Sequence, residues 1–252
     1  MNRRRADAAV VAVGCGVLLL QLSLYLSGAH VGWLALILFA GRWAHLAEHN
    51  QAHKSVFDGR VCSNLFEMVL TLSTAVPVDL YRAHHVETHH RYDNGPGDWT
   101  SPFAYKGARF PDRPVHFVVY VATFPGRAWR RGVPIVWSKR ERQTIFLGSV
   151  AVLAIFAVAL ATYRTAEFVI FFLVPWVLLW LGTAVANWLH HDGRSFEEGD
   201  IANDNYGFLN RWIAFNIGYH SAHHRYPSAH WSALPLLTSR DRQTDRSVPQ
   251  VQ

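Results

Sequence analysis

The sequence predicts an integral-membrane helical protein, with four spans in two hairpins and a metal centre on one membrane face. Three observations predict it. Four apolar stretches are each long enough to cross a hydrocarbon core of ~30 Å. Lysine and arginine gather on one side of those stretches. Three histidine clusters, His49-Asn-Gln-Ala-His53, His85-Val-Glu-Thr-His89-His90 and His220-Ser-Ala-His223-His224, lie at or beyond the ends of the spans.

The first span, residues 8–26, is apolar or small apart from Gln21 and Ser23. A cleaved signal peptide competes with it, given Arg3 to Arg5 and the small residues Ser27-Gly28-Ala29. Its apolar region exceeds the usual 7–15 residues, which favours a retained span. The second span, 31–48, continues helically into the first histidines. Residues 65–80 contain Glu67, Pro77 and Asp79, and 115–124 is too short to cross. Both read as helices on the membrane surface or packed on a cap. The third and fourth spans, 144–163 and 168–189, make the second hairpin, with Pro175 predicting a kink.

Loop charge sets the orientation. Residues 27–31 carry no basic residue, and Arg164 alone joins spans three and four. Arg3 to Arg5, thirteen basic residues from Lys54 to Arg142, and six in the C-terminal segment lie on the other side. Both termini and the large loop are therefore expected to be cytoplasmic. Residues 1–240 read as one domain with its cap at 49–143 and 190–236, and 241–252 as a disordered polar tail.

Composition narrows the chemistry. Fifteen histidines against two cysteines point to nitrogen ligands. Cys15 and Cys62 cannot build a zinc ribbon, an iron–sulfur site or a disulfide. The net charge of +6 suits anionic headgroups and an acidic protein partner. Nucleic acid is a poor explanation, because the basic residues follow one membrane face.

Helical rise tests whether the clusters can meet. From Val31 to His49 is ~27 Å, and from Phe168 to His191 ~34 Å, at ~1.5 Å per residue. Both end at the face that carries the other clusters, whereas His30 lies on the opposite side. Spacing of i, i+4 puts two rings on one helix face. Nine buried imidazoles without partners would each cost about 1–3 kcal/mol, rivalling the ~5–15 kcal/mol stability of a whole domain. The cluster is then solvated or metal-filled, and its regular spacing in separate segments favours metal.

At these residues the chain resembles the membrane fatty acid desaturase and hydroxylase superfamily. His49 to His53 followed by Val56-Phe57 is similar to the first histidine box. Tyr81 to Tyr92, with its exit Asp93 to Asp98, is similar to the second. Asn216 to Pro227, with Trp231 and Pro235, is similar to the third, and Asn187-Trp-Leu-His-His191 resembles the separate Asn-x3-His element. The resemblance covers roughly residues 31–236. It implies an all-α bundle of transmembrane helices under a cytosolic helical cap that holds two iron ions. The implied metal ligands are His49, His53, His85, His89, His90, His191, His220, His223 and His224, with Asn187 approaching an iron through water. Such a centre uses O2 and two electrons to abstract hydrogen from an unactivated C–H bond.

Neighbouring residues leave alternatives. His45 and His49 would make a different first box, although Phe57 and the downstream spacing fit the later pair. His84 is spare in box two and could bond a carboxylate instead. Glu87 and Asp192 adjoin ligand histidines and could orient their N–H groups, or be solvated. Asp98 reads as a turn residue, His116 and His230 as structural or exposed, and His190 as a competitor of His191 without the Asn-x3-His spacing.

The implied function is a membrane-bound fatty acyl desaturase. A hydroxylase, acetylenase or carotenoid-type oxygenase on the same scaffold is the alternative. A metal or haem-binding transport or electron-carrier protein, or a zinc hydrolase, represents other classes. The substrate is expected to be a lipid or acyl chain on CoA, acyl carrier protein or a glycerolipid. Without a flavin fingerprint, ferredoxin cysteines or a haem domain in the sequence, electrons are expected from ferredoxin, rubredoxin or a cytochrome.

Overall fold

The structure is a computed structural model that describes residues 3–102, 114–194, 201–210 and 214–247. All regular structure among the described residues is helical. Parts of the expected cap and tail, residues 103–113, 195–200, 211–213 and 248–252, lie outside them.

Helix α1 (Arg3–Ser27) ends at Gly28, and a single 3-10 turn leads into α2 (Leu34–His53). His30 caps that turn, its Nδ1 accepting the Gly32 N–H at 3.0 Å, so this histidine is structural and remote from the clusters. Gly14 faces Phe66 and Leu70 of α3 (Arg60–Thr74), and a Cβ there would collide with both. The missing side chain lets α1 and α3 approach closely. Gly41 does the same for α2 against Leu179. Gln21 is fully buried in this apolar setting. Its amide donates to the Phe171 carbonyl and accepts from the Ser73 hydroxyl, so its burial leaves no polar atom stranded.

Chain direction reverses sharply after α3. Ala75 takes a left-handed conformation, φ 58°, and Pro77 caps α4 (Val78–Tyr92). The two helices meet at 84°. Helix α5 (Pro114–Trp137) packs on α4 and tolerates two internal prolines, and α6 (Arg140–Tyr163) follows. In α7 (Thr165–His191) a π-helical turn over Val169–Leu173 immediately precedes Val174-Pro175. The irregularity falls where proline removes a backbone donor, as the sequence predicts. Short helix α8 (His220–Arg225) and α9 (Leu234–Ser247) complete the described fold. Helix α9 runs into the segment expected as a disordered tail.

Three helices are long and apolar enough to cross a membrane: α1, α6 and α7. They contain the expected spans 8–26, 144–163 and 168–189. The expected span 31–48 fares differently. Helix α2 starts only at Leu34, and its second half carries Arg42, His45, Glu48, His49 and Gln51. It is not apolar enough to cross a membrane, whereas the bent pair α3–α4 is when its two arms are taken together as one span. Glu67 and Asp79 are tolerated there because Arg82 and Arg142 pair with both.

Candidate metal centre

All nine histidines singled out in the sequence come together, and they divide into two groups. His49, His53, His85, His90 and His223 form one; His89, His191, His220 and His224 form the other. Within each group the potential ligand nitrogens lie within 4.8 Å of one another. Apart from the half-buried His53, every one of these residues is buried.

Local structure explains the division. Helix α2 supplies His49 and His53 one turn apart, so both face the first group. In a regular α-helix His85 and His90 would point about 140° apart. Instead His85–His89 form a π-helical turn, closed by the His90 N–H on the His85 carbonyl. Residues i and i+5 then share one side, and their Nε2 atoms stand 3.2 Å apart. His89 is released to the second group, where its Nε2 is 2.9 Å from that of His191 on α7. Helix α8 divides its histidines, sending His223 to the first group and His220 and His224 to the second.

The nitrogens of these rings cannot satisfy one another. His223 Nε2 faces both His49 Nε2 at 3.0 Å and His90 Nε2 at 2.8 Å. His191 Nε2 faces His89 Nε2 and, at 3.3 Å, His220 Nε2. Each ring nitrogen has one proton or one lone pair, so a three-way meeting leaves at least one clash or one orphan. His53 Nε2 and His224 Nε2 have no hydrogen-bond partner among the described residues. A cation between converging lone pairs resolves both problems. Adjacent ligands ~2.1 Å from a common ion stand ~3.0 Å apart at a right angle and ~3.4 Å apart at the tetrahedral angle, close to the spacings found. The residues therefore fit a metal in each group.

The opposite ring edges are tied down as metal-bound imidazoles require. His89 Nδ1 donates to Asp98 Oδ2 at 2.9 Å, and His224 Nδ1 to Asp93 Oδ1 at 2.8 Å. His53 Nδ1 donates to the Pro227 carbonyl at 2.8 Å, and His191 Nδ1 to that of Ile201 at 2.5 Å. Asp93 and Asn94 have positive φ and Gly97 has φ 105°, which turns the loop after α4 back onto the rings. Burial works against ionising Asp98, but His89 and the Thr100 hydroxyl and N–H outweigh it and hold the carboxyl below its usual range. Burial, reinforced by neighbouring imidazoles, holds His220, His223 and His224 far below the ordinary histidine value. They are neutral at neutral pH, the state in which imidazole ligates.

The other residues marked in the sequence take different roles. Glu87 pairs with Lys139 at 2.5 Å instead of orienting an imidazole. His84 Nδ1 donates to the Leu80 carbonyl, not to a carboxylate, and its ring packs on Phe124. His45 is buried 3.5 Å from Glu48 and belongs to neither group. The Asp192 carbonyl caps the end of α7 through Asn203. His190 stacks on His220, and His230 joins Asp7 and Ser232. Asn187 donates to the Thr100 carbonyl and the Tyr120 hydroxyl. Asp98 is more than the turn residue it resembled. Its place nine residues after His89 was visible, but only the loop conformation aims it.

A cavity of about 70 Å³ touches both groups, through His49 and His85 on one side and His89 and His220 on the other. Leu46, Phe124, Ala186 and Ile217 supply apolar wall, with Asn187 and Thr100 beside them. It therefore lies against both groups at once.

Comparison with known proteins accords with this geometry. The sequence profile of the fatty acid desaturase family matches residues 27–250. The sphingolipid delta(4)-desaturase/C4-monooxygenase DES2 of Bos taurus is 30% identical over 197 residues, covering 76% of this chain and 59% of its own length. The Homo sapiens DES2 is 30% identical over 205 residues, and the sphingolipid delta(4)-desaturase DES1 of Xenopus tropicalis 27% over 197, with the same coverage. The chain thus spans under two thirds of the length of these relatives. No solved structure matches it significantly.

Proposed function

The chain belongs to the fatty acid desaturase family, and on that premise we propose that it is an O2-dependent di-iron oxidoreductase that desaturates an aliphatic lipid chain. Its family makes it an oxidoreductase of the desaturase and hydroxylase type and, with its apolar helices, a membrane protein. The observation that carries the finer reading is the division of nine buried histidines into two adjoining groups.

In this reading His49, His53, His85, His90 and His223 hold one iron, and His89, His191, His220 and His224 the other. Bound iron supplies dioxygen activation and hydrogen-atom abstraction. The protein's part is to fix the rings and exclude water. Asp98, Asp93 and the Pro227 and Ile201 carbonyls keep Nδ1 protonated and Nε2 pointing inward. Leu46, Phe124, Ala186 and Ile217 dry the cavity and receive the chain. Asn187, fixed by Thr100 and Tyr120, borders the reacting region. We place both termini and the histidine groups on the cytoplasmic side of a multi-pass fold, from the distribution of basic residues, and assign electron supply to a separate carrier.

Hydroxylation is the second reading. It is favoured by the relatives' own name, which joins a desaturase and a C4-monooxygenase. Lipid mass spectrometry of cells expressing the chain or its His223→Ala variant separates the outcomes. A product lacking two hydrogens supports desaturation, and one gaining an oxygen supports hydroxylation. Identical lipid profiles from the two strains would sink both.

A further inference from the structure

The loop that follows α4 touches three of the four histidines of the second group. Asp98 accepts from His89 Nδ1, Asp93 accepts from His224 Nδ1, and the Asn94 side-chain amide lies 2.8 Å from His191 Nδ1. The same segment also reaches the surface. With the last turns of α5 it forms an open groove lined by Tyr92, Trp99 and Ile135 and charged by Arg91, Arg131 and Lys139. Arg91 and Arg131 are exposed, and among the described residues neither pairs with a carboxylate. Glu87 is the one carboxylate that lines the groove, and Lys139 neutralises it. Trp99 directly follows Asp98 and meets His84, a wall of the histidine cavity, with ring centroids 6.4 Å apart. The groove is thus one residue away from the carboxylate that holds His89.

Desaturation sets what must visit this end of the molecule. Removing two hydrogens from a chain with one O2 yields an alkene and two waters, and takes up two electrons and two protons. A one-electron carrier gives up one electron and leaves oxidised, so two must dock in turn for each turnover. Brief encounters of this kind use small, charged surfaces rather than large apolar ones. We propose that the groove between the loop and α5 is the docking surface for a small acidic one-electron carrier protein. This rests on the oxidoreductase reading. Charge favours this groove over its neighbour below the first group. There Arg82, Lys139 and Arg142 face Glu67, Asp79, Glu87 and Glu141, so carboxylates outnumber cations. That neighbour repels an acidic partner, whereas the uncompensated Arg91 and Arg131 attract one. Tyr92, 39% exposed, and Trp99 add aromatic contact, the kind that carries binding energy at protein interfaces. Position favours the groove as well. Its Ser138 and Lys139 immediately precede α6, at the end of the bundle that carries the histidine groups. A carrier seated there faces the second group across the 91–99 segment.

Direct binding tests this without turnover. The full chain, iron-loaded in nanodiscs of zwitterionic lipid, is titrated with a fluorescently labelled acidic two-iron ferredoxin and with the soluble domain of an acidic cytochrome. At least one should bind, and its affinity should fall steeply as salt rises. Arg91→Glu and Arg131→Glu should each weaken it about 10-fold, and the double variant about 100-fold if the two act independently. Arg60→Glu makes the same change of net charge at an exposed arginine outside the groove. It should leave the affinity within about 2-fold. Both groove arginines are exposed, so metal content and helical signal should match those of the wild type. Binding of neither carrier, or equal losses in Arg60→Glu and the groove variants, overturns the proposal. So does tighter binding of phosphatidylglycerol vesicles or of coenzyme A that disappears in the same variants, since the groove then takes a lipid surface or a phosphorylated head. A carrier that loses affinity in the groove variants, with a wild type that alters no lipid, would instead overturn the oxidoreductase reading and leave the docking surface standing.

Discussion

His89 and Asp98 form a buried pair, with Nδ1 2.9 Å from the carboxylate and the two side chains only 1% and 0% exposed. The carboxylate fixes which ring nitrogen carries the proton and turns Nε2 toward His191. Asp98→Asn keeps the shape but replaces an ionised acceptor with an amide. It should lower metal affinity for the second group by about 10- to 100-fold, with helical content retained by circular dichroism. Metal titration giving wild-type affinity would remove Asp98 from this role. Asp98→Ala should also loosen the loop, because Asp98 additionally receives the N–H groups of Asn94 and Thr100.

The contrast between Asp98 and Glu87 shows how far the sequence could be read. Both are carboxylates close to a histidine in the chain, and adjacency favoured Glu87. Yet Glu87 sits on the outer side of α4 against Lys139, while a loop with three positive-φ residues carries Asp98 inward. Loop reversal of this kind leaves no periodic signal. The nine histidines and three of the four apolar spans were legible because spacing and hydropathy are local properties. The split of box two was not. Regular helical geometry predicts His85 and His89 on one face, and a π turn sends them to different groups. Span two stands apart from the other three for a related reason: His45, Glu48, His49 and Gln51 of α2 are buried within the protein, which hydropathy along one helix cannot reveal.

Two separate groups should lose metal separately. His223→Ala removes a ligand only from the first, and His224→Ala only from the second. Each variant should therefore retain about half of the wild-type metal at modest metal concentration, and the double variant almost none, if the groups bind independently. His45→Ala should keep full metal content, because His45 belongs to neither group. Metal analysis of purified protein checks all four. Loss of metal in His45→Ala alone would restore the earlier His45–His49 pair as the first box.

Acid should destabilise the metal-free protein before it reaches the carboxylate range. Burial lowers the His53 pKa from 6.5 to about 4, even though the Pro227 carbonyl opposes the shift. Burial also holds His220, His223 and His224 well below the ordinary histidine value. Between pH 6.5 and about 4 the unfolded chain binds protons that the folded chain refuses. Stability then falls as pH falls through that window. Thermal unfolding of metal-free protein between pH 7.5 and 4 should show a steadily declining midpoint, and protonation should release metal from the loaded protein over part of the same range. A midpoint flat down to pH 4.5 would contradict neutral buried imidazoles.

The strongest structural test concerns the charges that fasten α3, α4 and α6 below the first group. Arg142 donates to Glu67 Oε2 at 2.7 Å and to Asp79 Oδ1 at 2.6 Å, while Arg82 pairs with the same two carboxylates and reaches the Ala52 carbonyl beside His53. Both acids are 5% exposed and both arginines under a quarter exposed. Removing one partner strands buried charge, which costs about 3–5 kcal/mol, although replacing a whole buried network with apolar residues is often neutral. Arg142→Ala should therefore lower the unfolding midpoint strongly. Arg142→Ala combined with Glu67→Gln should recover part of the loss, because the stranded carboxylate is gone. The damage should also reach the metal centre, since Arg82 and Gln51 connect Glu67 to the α2 segment carrying His53. Weakened metal binding in Arg142→Ala, at a residue that touches no histidine of either group, would identify this network as the support that holds box one in place. Unchanged stability together with unchanged metal affinity would show that the helices hold their positions without it.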